Sequence, residues 1–227
     1  MATVKGRRPP EGQRGQARTR LARRAVVEAA RALFLDRGYA ATTIDAISDR
    51  SDVPPATVYR LFSSKLGILK AVSDVAIAGD DQAIAVADRP GARALFADPD
   101  PRNQLAGFAG ISCGILARAE PIHRILLSAA ATDPAAAALL AEYTRQRQAG
   151  QGQIARSLAR AGALRPGLRE RDAADIIHAL MSPELYRLLV SDRGWPPERY
   201  EQWLTGLLIC QLLPPPAAGR ELTHPFK

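Results

Sequence analysis

The side chains in this chain best suited to chemistry are short or cationic, and they lie close together. Pro55, Ala56 and Thr57 form a stretch whose small side chains let the backbone approach a groove closely, and Arg60 follows with five N–H donors in a rigid fork. A guanidinium of this kind can grip a guanine edge through two parallel hydrogen bonds, worth about 1–3 kcal/mol, or can sit on a phosphate. Thr43 upstream can accept from backbone N–H groups as a helix cap, and Lys65 downstream adds a mobile positive charge. This is equipment for recognition. His123, His178 and His224 are far apart, no metal-ligand spacing occurs, and neither a Gly-rich phosphate loop nor a nucleophile elbow is present. The expectation is a protein that is not an enzyme and takes no cofactor and no metal.

Holding those side chains requires two short helices and a tight turn. Thr42 and Thr43 cap a helix whose apolar positions are Ile44 and Ile47. Ser51 and Asp52 form a turn, and Val53 is pushed out of the helical region by Pro54. Pro54 suits an N-cap and Pro55 the first helical position, where a missing N–H costs nothing. The helix Pro55 to Phe62 then turns Val58 and Phe62 inward. Two short helices about a three-residue turn make a helix-turn-helix, and short residues at the start of the second admit it to a major groove about 12 Å wide.

With Val26, Val27, Ala29, Ala30, Leu33, Phe34, Gly38 and Tyr39 upstream, and Ile44, Ile47, Val53, Ala56, Thr57, Tyr59, Phe62 and Lys65 after them, the sequence resembles the tetracycline-repressor-like (TetR) family of bacterial transcription regulators. The resemblance covers roughly 45 residues as a spaced set. It implies that Pro55, Ala56 and Thr57 face bases, that Tyr59 lies on the DNA backbone, that Lys65 meets a phosphate and that Thr43 is a phosphate-contacting cap. Taken singly, Tyr59 also reads as a half-buried packing residue and Lys65 as a solvated charge. The chain departs from the family pattern at Ser48, Asp52, Pro54 and Leu61, the last two removing a polar cap and a polar backbone contact. Those changes predict a site read more by apolar contact and DNA shape than by many hydrogen bonds.

Charge placement agrees. Of the formal net charge of +8, residues 1–24 carry seven, from Lys5, Arg7, Arg8, Arg14, Arg18, Arg20, Arg23 and Arg24 against Glu11. A basic arm containing Arg20 ahead of a helix-turn-helix points to phosphate, while an arm alone also fits a solubilising tail. Cys113 and Cys210 form no CxxC pattern and read as small buried hydrophobes in a reducing compartment. No run of 18 apolar residues or apolar leader appears, so the expected location is the cytoplasm with no membrane partner.

The rest of the 227 residues reads as all-α, about nine helices in total. Residues 1–17 are expected as a disordered basic arm, 18–65 as the three-helix DNA-binding domain, 66–213 as a helical ligand-binding and dimerisation domain and 214–227 as a disordered tail. Helix four is expected to run from Ser63-Ser64 toward Val86 as a lever. One helix is expected over Arg102 to Ala119, a second from Pro121 to Leu127, one from Asp133 to Ala161, one from Leu168 to Val190 kinked by Pro183, and the last from Pro196 to Pro214. Gly107, Gly110 and Gly114 in one helix require close packing or empty space beside them.

Helix position and small-residue density place an effector pocket near Phe108, Ile111, Ser112, Ile115, His123, Tyr143 and Met181, with His123 alone also readable as a core histidine. The family resemblance implies a homodimer through Leu185, Leu188, Leu189, Trp203, Leu207 and Leu208, residues that also suit an intramolecular core. The expected function is a ligand-responsive repressor on a palindromic double-stranded DNA operator, released by a small, mainly apolar effector. The competing function is nonspecific or architectural DNA binding driven by the arm.

Overall fold

The computed structural model describes residues 11–80 and 88–215. Every regular element among them is helical: α1 (Glu11–Ala41), α2 (Ile44–Ser51), α3 (Pro55–Phe62), α4 (Lys65–Ala78), α5 (Pro90–Ala97), α6 (Pro101–Ala130), α7 (Pro134–Arg160), α8 (Glu170–Leu180), α9 (Pro183–Tyr186), which continues as a π-helical turn over Arg187–Asp192, and α10 (Pro197–Leu212). The all-α expectation holds. The chain forms two compact units, Met1–Asp81 with Pro121–Leu140, and Gln82–Glu120 with Ala141–Lys227. This division differs from a boundary at residue 65, because α4 and the segment Pro121–Leu140, the end of α6 and the start of α7, belong to the first unit.

In the first unit, Val26, Ala30, Leu33 and Phe34 of α1 are buried with Ile47 of α2, Val58 and Phe62 of α3, and Ile68, Leu69 and Val72 of α4. Each large apolar side chain so buried contributes about 1.5–3 kcal/mol. Gly38, at φ 78°, breaks the helical path inside α1 where the sequence predicts a stop. The two threonines that follow divide the work. Thr42 is fully buried and its hydroxyl donates back to the Gly38 carbonyl at 2.8 Å, closing α1, while Thr43 caps α2 by accepting from the Ala46 N–H at 3.1 Å.

Four boundaries differ from the sequence expectation. Helix α1 begins at Glu11, so residues 11–17 are helical and not part of a disordered arm, and residues 1–10 lie outside the described residues. A helix already nucleated on buried Val26 and Ala30 extends at one hydrogen bond per residue, which composition alone does not reveal. Helix α4 ends at Ala78, where Gly79 adopts φ 86° and returns its N–H to the Val75 carbonyl at 2.8 Å, although apolar residues continue in sequence toward Val86.

Helix α6 runs through Pro121 instead of restarting there. Losing that backbone bond costs about 3 kcal/mol, and buried Ile122 and Leu126 immediately beyond offset it. By length and composition α6 could cross a bilayer. Its buried residues Leu105, Ala109, Cys113 and Leu116, then Ile122, Leu126 and Ala129, recur every three or four positions as in a core helix. Pro183, finally, starts α9 instead of kinking a longer helix, because Ser182 is extended and caps the Leu185 N–H at 3.2 Å.

The second unit is built on a core that includes Leu105, Ile154, Leu158, Ile177, Met181, Tyr200, Leu204 and Leu212. The glycines of α6 are explained by close approach. A Cβ on Gly107 would stand 3.0 Å from Leu95, and one on Gly110 would stand 3.2 Å from the Glu201 carboxylate. Cys113 is buried, and desolvation first, then the nearby Glu201, push its thiol up to about 12. Cys210 is exposed, so the expectation of a buried hydrophobe fails there, its position being on the outer face of α10.

Candidate nucleic-acid interface

The α2–turn–α3 segment is fixed from both sides. Asp52 takes the left-handed conformation at φ 52°, ψ 35°, and returns its N–H to Ser48 at the end of α2. Ser48, nearly fully buried, donates its hydroxyl to the Val53 carbonyl at 2.7 Å, so the departure from the family's small apolar residue tightens the turn. Pro54 caps α3 with its carbonyl alone, accepting from Thr57 and Val58, and offers no side-chain cap. The first-turn N–H groups of α3 therefore lack a capping side chain at the end where a groove-entering helix would meet DNA.

Pro55, Ala56, Tyr59 and Arg60 are exposed, Thr57 is half-buried, and Val58 and Phe62 point into the core. Tyr59 is 52% exposed, which removes its reading as a packing residue. Thr43 is exposed beside its capping role, and Arg20 is exposed on α1. The structure thus gathers Thr43, Pro55, Ala56, Thr57, Tyr59 and Arg60 on the helix-turn-helix, with Arg20 on the long first helix.

Lys65 behaves differently from its sequence assignment to a phosphate. Its ammonium donates to the carbonyls of Tyr39 at 2.8 Å, Thr42 at 3.0 Å and Ala40 at 3.4 Å, and lies 4.4 Å from the centre of the Tyr39 ring. Its three donors are engaged by the end of α1, and burial lowers the lysine's proton affinity. Tyr39 is itself shifted upward, by burial first and then by the charge of Asp133. Lys65 is a clamp between α1 and α4.

Two further residues were missed. Arg23, grouped with the basic arm by sequence, donates Nη1 to the Leu61 carbonyl at 3.3 Å and stacks 4.7 Å above the Phe62 ring. It thereby places a cation at the C-terminal end of α3. Gly67 is required because a Cβ there would overlap the Phe62 carbonyl oxygen. Neither contact leaves a local signal, the first spanning 38 residues and the second arising from the turn at Ser63, where φ is 65°.

The remaining assignments separate. Among the effector residues, His123 falls in the first unit and the other six in the second. Met181 is core, Phe108 and Ile111 pack against that core, and Ser112, Ile115 and Tyr143 are half-buried. Two surface depressions, of about 370 Å3 beside Arg37 and Asp49 and about 160 Å3 beside Tyr39 and Ile125, lie in the first unit and include none of the seven. Among the dimer candidates, Leu208 is 0% exposed and is corrected to the intramolecular core, while Leu188 is 48% exposed and Leu185, Leu189, Trp203 and Leu207 are half-buried. No cluster of three or more His, Cys, Asp or Glu among the described residues could hold a metal ion.

Residues 26–72, from the first buried turn of α1 to the middle of α4, match the model for bacterial regulatory proteins of the tetR family. The likeness to that family lies in this segment of the chain. Over 153 residues it is 28% identical to the HTH-type transcriptional regulator TcmR of Streptomyces glaucescens, covering 63% of this chain and 62% of that one. Over 59 residues it is 34% identical to the HTH-type transcriptional regulator YdeS of Bacillus subtilis (strain 168), covering 26% and 30%. The chain thus spans about three fifths and under a third of these two relatives. The fold extends further. NalD of Pseudomonas aeruginosa, the secondary repressor of the MexAB-OprM multidrug efflux pump, superposes with a TM-score of 0.66 at 20% identity, over 86% of this chain and 98% of that one. The family model stops short of the arm, the C-terminal unit and every expected effector residue.

Proposed function

We infer that the protein is a cytoplasmic, ligand-responsive repressor that binds a palindromic operator as a homodimer. The observation that carries the reading is the α3 N-terminus. Pro55 and Ala56 are exposed and short, Thr57 follows, and the helix behind them is anchored by buried Val58 and Phe62. Bases meet Pro55, Ala56 and Thr57, while Tyr59, Thr43 and Arg20 serve the phosphate backbone and Arg60 takes a guanine edge or a phosphate. A single head of this size buries too little DNA for tight specific binding, so a second copy supplies the other half-site about 34–36 Å away. NalD is described as a repressor, and its likeness to this fold supports the sense of regulation.

Effector and operator favour different states of the dimer, so each weakens the other by the same factor. Selection of bound sites from random DNA by the purified protein tests the DNA half of the reading; a two-fold-symmetric site is expected, and recovery of unselected sequences sinks it. Titrating effector against free and operator-bound protein tests the linkage, and equal affinities overturn it. The helical, arginine-rich start of α1 supports the second reading, arm-driven nonspecific binding. Raising salt separates the two, since nonspecific affinity collapses evenly on all sequences whereas a regulator keeps its specific ratio.

A further inference from the structure

We propose that the second unit contains a subsite for the acid group of an amphipathic monoanion, built on Arg147; the proposal rests on the ligand-responsive reading above and specifies the effector's chemistry. The buried stripe of α7 is Ile154, Ala155 and Leu158. One and two turns earlier the same face carries Gln151 and Arg147, so an apolar stripe becomes polar inside the unit. Gln151 is 6% exposed and is held by the His178 ring, Nδ1 to Oε1 at 2.7 Å. Arg147 is partly buried, and its Nη1 is sealed from solvent with no hydrogen-bond partner.

A guanidinium stays charged at any ordinary pH and carries only donors, so a buried N–H of this kind calls for an acceptor brought from outside. Burial lowers the proton affinity of Arg147 in spite of the opposing charge of Glu184. His178 is held toward its neutral form by burial and by Arg147, with Asp175 and Glu184 pulling the other way. The charge of Glu184 already opposes that of Arg147, so the unfilled N–H donor is what selects an acceptor, and the carboxylate limits how much negative charge the site tolerates, against a dianion such as a phosphate monoester. A carboxylate accepts from the guanidinium in a charge-assisted bond. Ile177, beside His178 on α8, and Met181 at the C-cap of that helix are fully buried in the apolar core of the same unit. The sequence assigned the effector as mainly apolar, and Arg147 adds the acid group.

The test is calorimetric titration of the full-length protein, without DNA, with decanoate, decanol and decyltrimethylammonium below their micellar concentrations. The expected result is decanoate binding at least tenfold tighter than either analogue. R147M is expected to lose at least tenfold in decanoate affinity with decanol unchanged, and R147K to retain part of it. Equal binding of the three probes, preference for the neutral or cationic one, binding of none, or an unchanged R147M overturns the site. So does an R147M whose only defect is weaker self-association in sedimentation, which would make Arg147 an interface residue. The preference of the unaltered protein needs no variant, so misfolding of R147M leaves the proposal falsifiable. Decanoate binding that leaves operator binding intact supports the site and sinks the release mechanism, whereas release by the cationic probe without acid binding does the reverse.

Discussion

Lys65 holds Tyr39 twice, by donating to its carbonyl at 2.8 Å and by resting its ammonium 4.4 Å from the ring centre. The first residue of α4 thereby closes the last turn of α1, joining the two ends of the helix-turn-helix head. K65M leaves the carbonyls of Tyr39 and Thr42 to water, and the expected loss is about 1–2 kcal/mol in urea unfolding of the DNA-binding unit. The salt dependence of operator binding is expected to keep its slope. A slope smaller by about one would restore the phosphate role.

Gly67 has no room for a side chain. Ser63 turns the chain at positive φ, which carries the Phe62 carbonyl over the first turn of α4, and Ser64 accepts from the Gly67 N–H at 3.0 Å. G67A is expected to cost about 1–3 kcal/mol and to weaken DNA binding together with stability, as thermal melting and gel shift report in parallel.

Asp52 is an L-residue in the left-handed region, at φ 52°. D52G relieves that conformation and is expected to be neutral or to raise stability by up to about 1 kcal/mol, whereas D52V should lower it by a similar amount or more. Chemical denaturation midpoints of the two variants check the sign.

Tyr59 is exposed on α3 and does not serve the core. Y59A should change stability by less than about 0.5 kcal/mol and lower affinity evenly across operator variants. A changed base preference at one position would move Tyr59 from the phosphate backbone to a base edge.

His178 gives the second unit a pH dependence. Its folded proton affinity lies below the ordinary value of 6.5, burial being the first cause and Arg147 the second, against Asp175 and Glu184. The unfolded chain therefore takes up the proton first as pH falls. The stabilising contribution is complete above about 6.5 and declines as pH drops through the lower folded value. Denaturation midpoints measured from about pH 7.5 down to about pH 5 should fall, and H178Q should flatten this decline.

The helix-turn-helix was legible in sequence because its rules are local. Thr43, Asp52 and Pro55 act on N–H groups and dihedrals within four residues of themselves, and Val58 and Phe62 declare one face of a single short helix. The glycine at residue 38 announced its own break for the same reason. What composition and periodicity determined by themselves was therefore the all-α class, the helix-turn-helix, and the short residues that open α3.

Tertiary structure decided everything that depends on partners distant in the chain. Arg23 became a cap on α3, Lys65 a clamp on α1, Leu208 a core residue, and Arg147 a half-buried cation beside His178 with one N–H sealed from solvent. It also carried α6 through Pro121, where local rules require a break, because burial of Ile122 and Leu126 outweighs one lost backbone bond. The physical reason is the same in each case. A charged or apolar side chain has no fixed role until the fold sets its solvent, and an identical arginine is a phosphate ligand on a surface, a helix cap against a carbonyl or an unsatisfied donor inside a core.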